Sequence, residues 1–199
     1  MLVNLMDKIF LVAIYLIGLI FAEVLRIPQR LRRYQDHQTR KKADHPSRFS
    51  ELIVLSSILL GIWILPIIYS VTSWLSVFDY MLPSWTIWIA IVLFLTSMVI
   101  RLIAQLTLSR PWSFTLETSE NHRFIQNGIY SLIRHPIYVS LIFWAIAQPV
   151  LLQNYLAGLS GPAAVLLIWV IRVPREEALM IGAFGDEYRS YMEKTGRVF

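Results

Sequence analysis

The sequence predicts an all-α integral membrane protein with about five transmembrane helices, the last two forming a C-terminal helical hairpin. Three observations carry that prediction. Of the 199 residues, 56% are hydrophobic and only 16% are charged, against about 25% charged in a soluble domain. The apolar residues fall in runs that approach or reach the roughly 20 residues a helix needs to cross a bilayer. The basic residues behind the net charge of +5 flank those runs, a pattern of membrane orientation rather than of nucleic-acid binding.

The first span is read over residues 3–25, with Asp7 and Lys8 close enough to its start to reach the interface. It does not read as a cleavable signal peptide, because no basic run precedes it and no small-residue cleavage site follows. Residues 26–48 form a strongly basic segment with eight Lys or Arg, expected to set topology and to contact anionic lipid headgroups. The second span is expected over residues 51–71, with a kink at Pro66. A connector over residues 73–84 has no basic residue, and Trp74, Tyr80 and Trp85 suit an interfacial belt.

The third span is expected over residues 85–106, with Arg101 in its last turns either snorkelling or facing protein. Residues 108–133 are polar, with turn signals at Arg110-Pro111 and Asn127-Gly128. The fourth span runs over residues 137–152. An uncharged turn is read at residues 154–161, and Pro162 is read as opening the fifth helix. That helix is expected to continue past Arg172, with a bend at Pro174. In the tail, Phe184, Tyr188 and Tyr191 mark one helical face.

Basic residues number eight in 26–48, three in 108–136 and five in 172–199, and the two opposite connectors have none. The positive-inside rule then places the N-terminus outside, and the basic segment, the polar segment and the tail in the cytosol. The chain divides accordingly. Residues 1–107 hold three spans and the basic cytosolic loop 26–48, and residues 108–199 hold the chemistry.

Two polar clusters bracket the last apolar stretch: Arg134-His135-Pro136-Ile137-Tyr138 and Arg172-Val173-Pro174-Arg175-Glu176-Glu177. One helix out and one back returns both to the same face. Arg172 lies within an apolar run and Glu176 one helical turn later, a pair that is costly to place beside lipid and commonly functional. Glu117, His122 and Tyr130 add polar groups upstream. There is no cysteine, which excludes thiolate catalysis and disulfides, and the four histidines (His37, His45, His122, His135) lack metal-ligand spacing, so no metal site is expected. No Gly-x-Gly-x-x-Gly turn exists to build a dinucleotide-type pocket.

These residues, in this order, resemble the isoprenylcysteine carboxyl methyltransferases, including their small prokaryotic homologues. The matching pieces are Trp112-Ser113, Leu116-Glu117, His122, Phe124-Ile125, Gly128-Ile129-Tyr130, Arg134-His135-Pro136 with Tyr138, and Arg172 with Glu176-Glu177. In the tail they are Phe184-Gly185-Asp186-Glu187-Tyr188, Tyr191 and Thr195-Gly196-Arg197. Members often carry Leu-Val where this chain has Phe124-Ile125, and many have Asn-Pro where it has Asn154-Tyr155.

The resemblance implies a membrane methyltransferase using S-adenosyl-L-methionine, with a cytosolic cofactor-binding loop and tail. It implies cofactor contacts at Glu117, His122, Arg123, Phe124, Ile125, Tyr130, Arg134, His135, Pro136, Ile137, Tyr138, Glu176 and Glu177. It implies that Arg172 holds the acceptor's carboxylate, a prenylcysteine-like or other lipophilic acid entering from the bilayer. Two other readings stand beside it. N-methylation of an amine lipid would need a base and would be opposed by an arginine at the acceptor. A non-catalytic scaffold or channel would leave the polar clusters without a role, and no continuous polar stripe lines a pore. The sequence specifies neither the natural acceptor nor an oligomeric state.

Overall fold

The structure is a computed structural model and describes residues 5–27, 48–109 and 125–198. Most of the basic segment 26–48 therefore lies outside the described residues, as do Glu117, His122, Arg123 and Phe124. Helix α1 spans Leu5–Val24. The second span is composite: α2 over Arg48–Ile58, a π-helical stretch over Leu59–Ile64, and α3 over Leu65–Val71. Helix α4 covers Trp85–Ser109 and α5 covers Pro136–Leu152. The last element runs as α6 over Tyr155–Leu167, a second π-helical stretch over Ile168–Arg172, and α7 over Val173–Lys194. Among the described residues there are no strands, only isolated bridges at Asp79–Asn154 and Ile133–Gly196.

Among the described residues three helices are long and apolar enough to cross a membrane: Phe49–Val71, Trp85–Leu108 and the 40-residue run Tyr155–Lys194. Ile9–Val24 and Pro136–Leu152 are shorter apolar helices. Leu52, Leu55, Trp88, Val92, Leu95, Leu166 and Val170 all point outward. Apolar surface on that scale suits lipid, not water. This is an integral membrane protein.

Helix α5 is the centre of the bundle. It packs along α4 and α6 and also touches α1. Trp144 on α5, Tyr15 on α1 and Phe94 on α4 form an aromatic cluster, with ring centroids 4.7 to 6.1 Å apart. Arg101 is 3% exposed, so it faces protein rather than reaching for the interface.

Each π-helical stretch ends two residues before a proline. A proline has no N–H, so it leaves carbonyls on the preceding turn without a partner. Ahead of Pro66, the Leu65 N–H bonds back to the Leu60 carbonyl, five residues earlier. The Val173 N–H does the same to Ile168 ahead of Pro174. The carbonyls that Pro66 cannot serve find side chains instead. Gly61 O accepts from Gln148 Nε2 at 3.0 Å and Ser160 Oγ at 2.8 Å, and Ile62 O accepts from the Tyr15 hydroxyl at 2.9 Å. Gln148 is 0% exposed. Its Nε2 also donates to Ala157 O at 2.7 Å, and its Oε1 lies 3.1 Å from the Tyr15 hydroxyl. One side chain thus joins α1, the second span, α5 and α6 where water is absent and unpaired polar groups are costly.

The fifth helix begins earlier than its sequence suggests. Residues 154–161 are not a turn: Asn154 caps α6, its side chain accepting from the Leu156 and Ala157 N–H groups at 3.1 and 3.0 Å. Pro162 lies inside the helix. Gly161 at the end of that stretch and Gly61 in the second span are contact positions. A Cβ on Gly161 would sit 2.0 Å from Gln148 Oε1, and one on Gly61 would sit 2.3 Å from Ser160 O. Small residues here let the backbones approach closely. At Pro174 the helix continues through the π-helical stretch, and its break comes later, at Gly185 (φ 55°, ψ −128°).

Opposite the polar clusters, the connector closes on the hairpin turn. Asn154 Nδ2 donates to Asp79 Oδ1 at 2.8 Å and Leu75 O at 2.7 Å, and the Tyr80 hydroxyl donates to Pro149 O at 2.6 Å.

Candidate active site

Pro136 opens α5 at its first turn, where a missing N–H costs nothing. His135 is the cap, and its carbonyl accepts from the Val139 N–H at 3.0 Å. This puts His135 and Tyr138 three residues apart at the start of α5, facing α7. Their rings are 5.6 Å apart.

From α7, Glu176 meets Tyr138 and Arg172. The Tyr138 hydroxyl donates to Glu176 Oε1 at 2.6 Å, and Arg172 Nε donates to the same oxygen at 2.9 Å. The side chains of Arg172 and Glu176 are 37% and 36% exposed. Glu176 Oε2 takes no hydrogen bond among the described residues, and the two terminal amino groups of Arg172 have no carboxylate partner there.

Glu177 is 3% exposed and its oxygens are taken. His135 Nε2 lies 3.2 Å from Oε1, Arg134 NH2 lies 3.6 Å from it, and Arg197 Nε lies 3.0 Å from both oxygens. A second Arg197 nitrogen, NH2, also bonds Oε2. Arg134 is turned inward, its NH1 donating to Met192 O at 3.2 Å. Burial lowers the pKa of His135, and hydrogen bonding to Glu177 only partly opposes that, so the ring is neutral near pH 7. With an acceptor-only carboxylate on Nε2, that nitrogen carries the proton and Nδ1 presents a lone pair.

The loop before α5 is tied to the end of α7. The Tyr191 hydroxyl donates to Tyr130 O at 2.5 Å, Gln126 Nε2 to Glu187 Oε1 at 3.2 Å, and the Arg134 N–H to Gly196 O at 2.9 Å. Tyr188 and Tyr191 are buried, with Phe184, Met180, Ile181 and Met192 packed on them, as the tail's spacing predicts. Burial raises the pKa of the Tyr130 phenol, which keeps it protonated.

Of the residues expected from sequence, Tyr130, Arg134, His135, Pro136, Ile137, Tyr138, Arg172, Glu176 and Glu177 come together at the joined ends of α5 and α7. Ile125 is half-buried at the start of the same loop. Among the described residues no group of His, Asp and Glu is arranged to hold a metal. Residues 88–182 match the model of the isoprenylcysteine carboxyl methyltransferase family.

The likeness to that family covers just under half of the chain, the segment that holds α5, α6 and most of α4.

Two relatives show how far the likeness extends. A probable protein-S-isoprenylcysteine O-methyltransferase of Oryza sativa subsp. indica is 32% identical over 113 residues, covering 54% of this chain and 58% of the relative. The protein-S-isoprenylcysteine O-methyltransferase of Homo sapiens is 34% identical over 79 residues, 40% of this chain and 28% of the relative. The chain therefore spans less than two thirds of these relatives. A solved eukaryotic intramembrane Ras methyltransferase of the isoprenylcysteine carboxyl methyltransferase type shares the fold. Its TM-score is 0.57 over 97% of this chain and 67% of that chain, at 20% identity.

In the sequence Arg197 stands only in the tail pattern Thr195-Gly196-Arg197, apart from the expected site residues. Its partner Glu177 is 20 residues away, with a helix break between them, so no periodicity pairs the two.

Proposed function

We propose that the protein transfers a methyl group from S-adenosyl-L-methionine to the carboxylate of an isoprenylcysteine-like lipophilic acceptor. The observation that carries this reading is the Tyr138–Glu176–Arg172 group. There one carboxylate oxygen anchors a phenol and a guanidinium, and among the described residues the terminal amino groups of Arg172 have no carboxylate partner at the end of an apolar helix.

The residues present fit the methyl donor. Its ribose hydroxyls, amino group and ammonium need acceptors, and Glu176 Oε2 and His135 Nδ1 are available to supply them. Tyr130 and Tyr138 offer ring faces to a sulfonium. Arg134 and Glu177 are engaged by protein and serve as support around His135. Glu117, His122, Arg123 and Phe124 complete the proposed contacts from outside the described residues. When bound, the donor supplies an electrophilic methyl group.

The acceptor's α-carboxylate has an ordinary pKa of about 3.5, so it needs no general base at neutral pH. What the chain must supply is alignment. Arg172 can grip a carboxylate through its two terminal nitrogens while Glu176 fixes the rest of the guanidinium. The Glu176 charge offsets the arginine and keeps it from quenching the nucleophile. The polar ends of α5 and α7 lie next to lipid-facing helix surfaces, so a prenyl chain can remain in the bilayer.

Residues 108–199 form the catalytic region in this reading, and residues 1–107 form the supporting spans. The site, the tail and the segment 26–48 face the cytosol, with that segment resting on anionic headgroups. One assay tests the reading. Purified protein with labelled donor and a prenylcysteine acceptor yields base-labile methyl ester. Base-stable methylamine as the sole product, or no binding of S-adenosylhomocysteine in calorimetry, overturns it.

A further inference from the structure

We infer that Arg197 is a positioning residue: acting through Glu177, it holds His135 as a neutral imidazole with Nδ1 presented as a hydrogen-bond acceptor. What Nδ1 meets depends on the function proposed above; the effect on the imidazole itself does not.

The geometry is a relay of three side chains from three parts of the chain. His135 caps α5, Glu177 lies in the first turns of α7, and Arg197 lies beyond the end of α7. Arg197 bonds both oxygens of Glu177, and one of those oxygens receives His135 Nε2. The tail that carries Arg197 is fixed where it must be. Gly196 pairs with Ile133, its carbonyl accepts from the Arg134 N–H at 2.9 Å, and Thr195 is buried.

A buried carboxylate with an imidazole as its main partner stabilises the protonated ring. Here most of the counter-charge comes from guanidinium groups, so Glu177 can orient the ring without charging it. The groups facing His135 are Glu176 and Glu177 from α7, Arg134 and Tyr138 from its own segment, and Arg197 through Glu177. Of these, Arg197 is the cation with the closest grip on Glu177. Removing it leaves the carboxylate's charge to the histidine. The ring then takes a proton near neutrality, and Nδ1 becomes a donor.

The test follows His135 directly, by NMR of 13C-histidine-labelled protein without ligand, assigned with H135N. In wild type the ring titrates below the ordinary histidine range. In R197Q its midpoint rises by about one pH unit, the order expected when one charged partner is lost. R197K keeps the charge without the fork and recovers at least half of the shift. S-adenosylhomocysteine affinity in R197Q falls roughly threefold below wild type at pH 6 and matches it at pH 8.5, where the ring is neutral in both. A purely structural role would not give recovery with pH. An unmoved midpoint in folded R197Q, or in folded R197M if R197Q does not fold, overturns the inference. A shifted midpoint in a protein that binds no S-adenosylhomocysteine instead overturns the proposed function and leaves the relay standing.

Discussion

Glu176 and Glu177 are neighbours in sequence and serve separate partners. Glu176 takes Tyr138 and Arg172 on one oxygen and keeps the other open, whereas Glu177 is closed in by His135, Arg134 and Arg197. Successive residues on a helix point about 100° apart, so one turn of α7 can address two places at the start of α5. Glu176→Gln removes a charge from an open site and leaves the fold intact. We expect S-adenosylhomocysteine affinity to fall about tenfold, the order of one charge-assisted hydrogen bond, with the melting temperature within about 2 °C of wild type. Calorimetry and a thermal melt check both.

Arg172→Ala is expected to lower methyl transfer by at least a hundredfold while S-adenosylhomocysteine binding stays within about threefold, since the lost fork serves the acceptor. Loss of cofactor binding on the same scale as activity would contradict the role given to Arg172. Single-turnover assays with a prenylcysteine acceptor, paired with calorimetry, separate the two.

Gln148→Leu removes one partner each from Gly61 O, Ala157 O and the Tyr15 hydroxyl, leaving the single Ser160 hydroxyl to serve both carbonyls and Ile62 O to hold the phenol. Stranded buried polar groups cost about 1–3 kcal/mol, and hydrogen bonds between membrane helices average somewhat less. A destabilisation of about 2 kcal/mol lowers the melting temperature by roughly 4–8 °C in a chain of this size. The acceptor preference should not change, because the site lies at the far end of α5.

Two glycines three residues apart on α7 should respond oppositely to alanine. Gly182 has nothing within 4 Å of an added Cβ, so Gly182→Ala gains helix propensity and is neutral or stabilising by up to about 1 kcal/mol. Gly185 is equally open but has φ +55°, a conformation an L-residue adopts at a cost of about 1–2 kcal/mol. Gly185→Ala is therefore destabilising, and it should also loosen the Tyr191–Tyr130 contact. Melting curves order the two variants.

His135 sets a pH dependence of stability. Burial holds its folded-state pKa below the unfolded value of about 6.5, so the unfolded chain takes up the proton first as pH falls. Its contribution is complete above pH 6.5 and is lost as the pH drops toward the lowered value. Wild type should lose more melting temperature between pH 7 and pH 5 than H135N, and equal losses would remove His135 as the cause.

Much of this was legible in advance. Apolar runs gave the spans, and the reasoning that a helix out and a helix back unites two polar clusters brought His135 and Tyr138 to Glu177 and Glu176. The misses have physical causes. Residues 154–161 read as an uncharged turn that includes Gly158 and Gly161. They are glycine because Pro149 and Gln148 press on them, and pressure from another helix leaves no periodic trace. The two π-helical stretches depend on acceptors and donors supplied from elsewhere in the bundle. Arg197 escaped because its partnership runs through a helix break.

The π-helical stretch at Ile168–Arg172 separates two kinds of selection on one continuous helix. A turn of this type holds one more residue than an α-turn and so rotates everything after it by about 100°. Upstream, side chains answer to lipid; downstream, Glu176 and Glu177 answer to α5. The added residue lets each half keep its own phase, so the lipid-facing surface can drift with the composition of a membrane while the reactive end stays in register. Deleting one residue there would swing both carboxylates off their partners without altering a single side chain of the site.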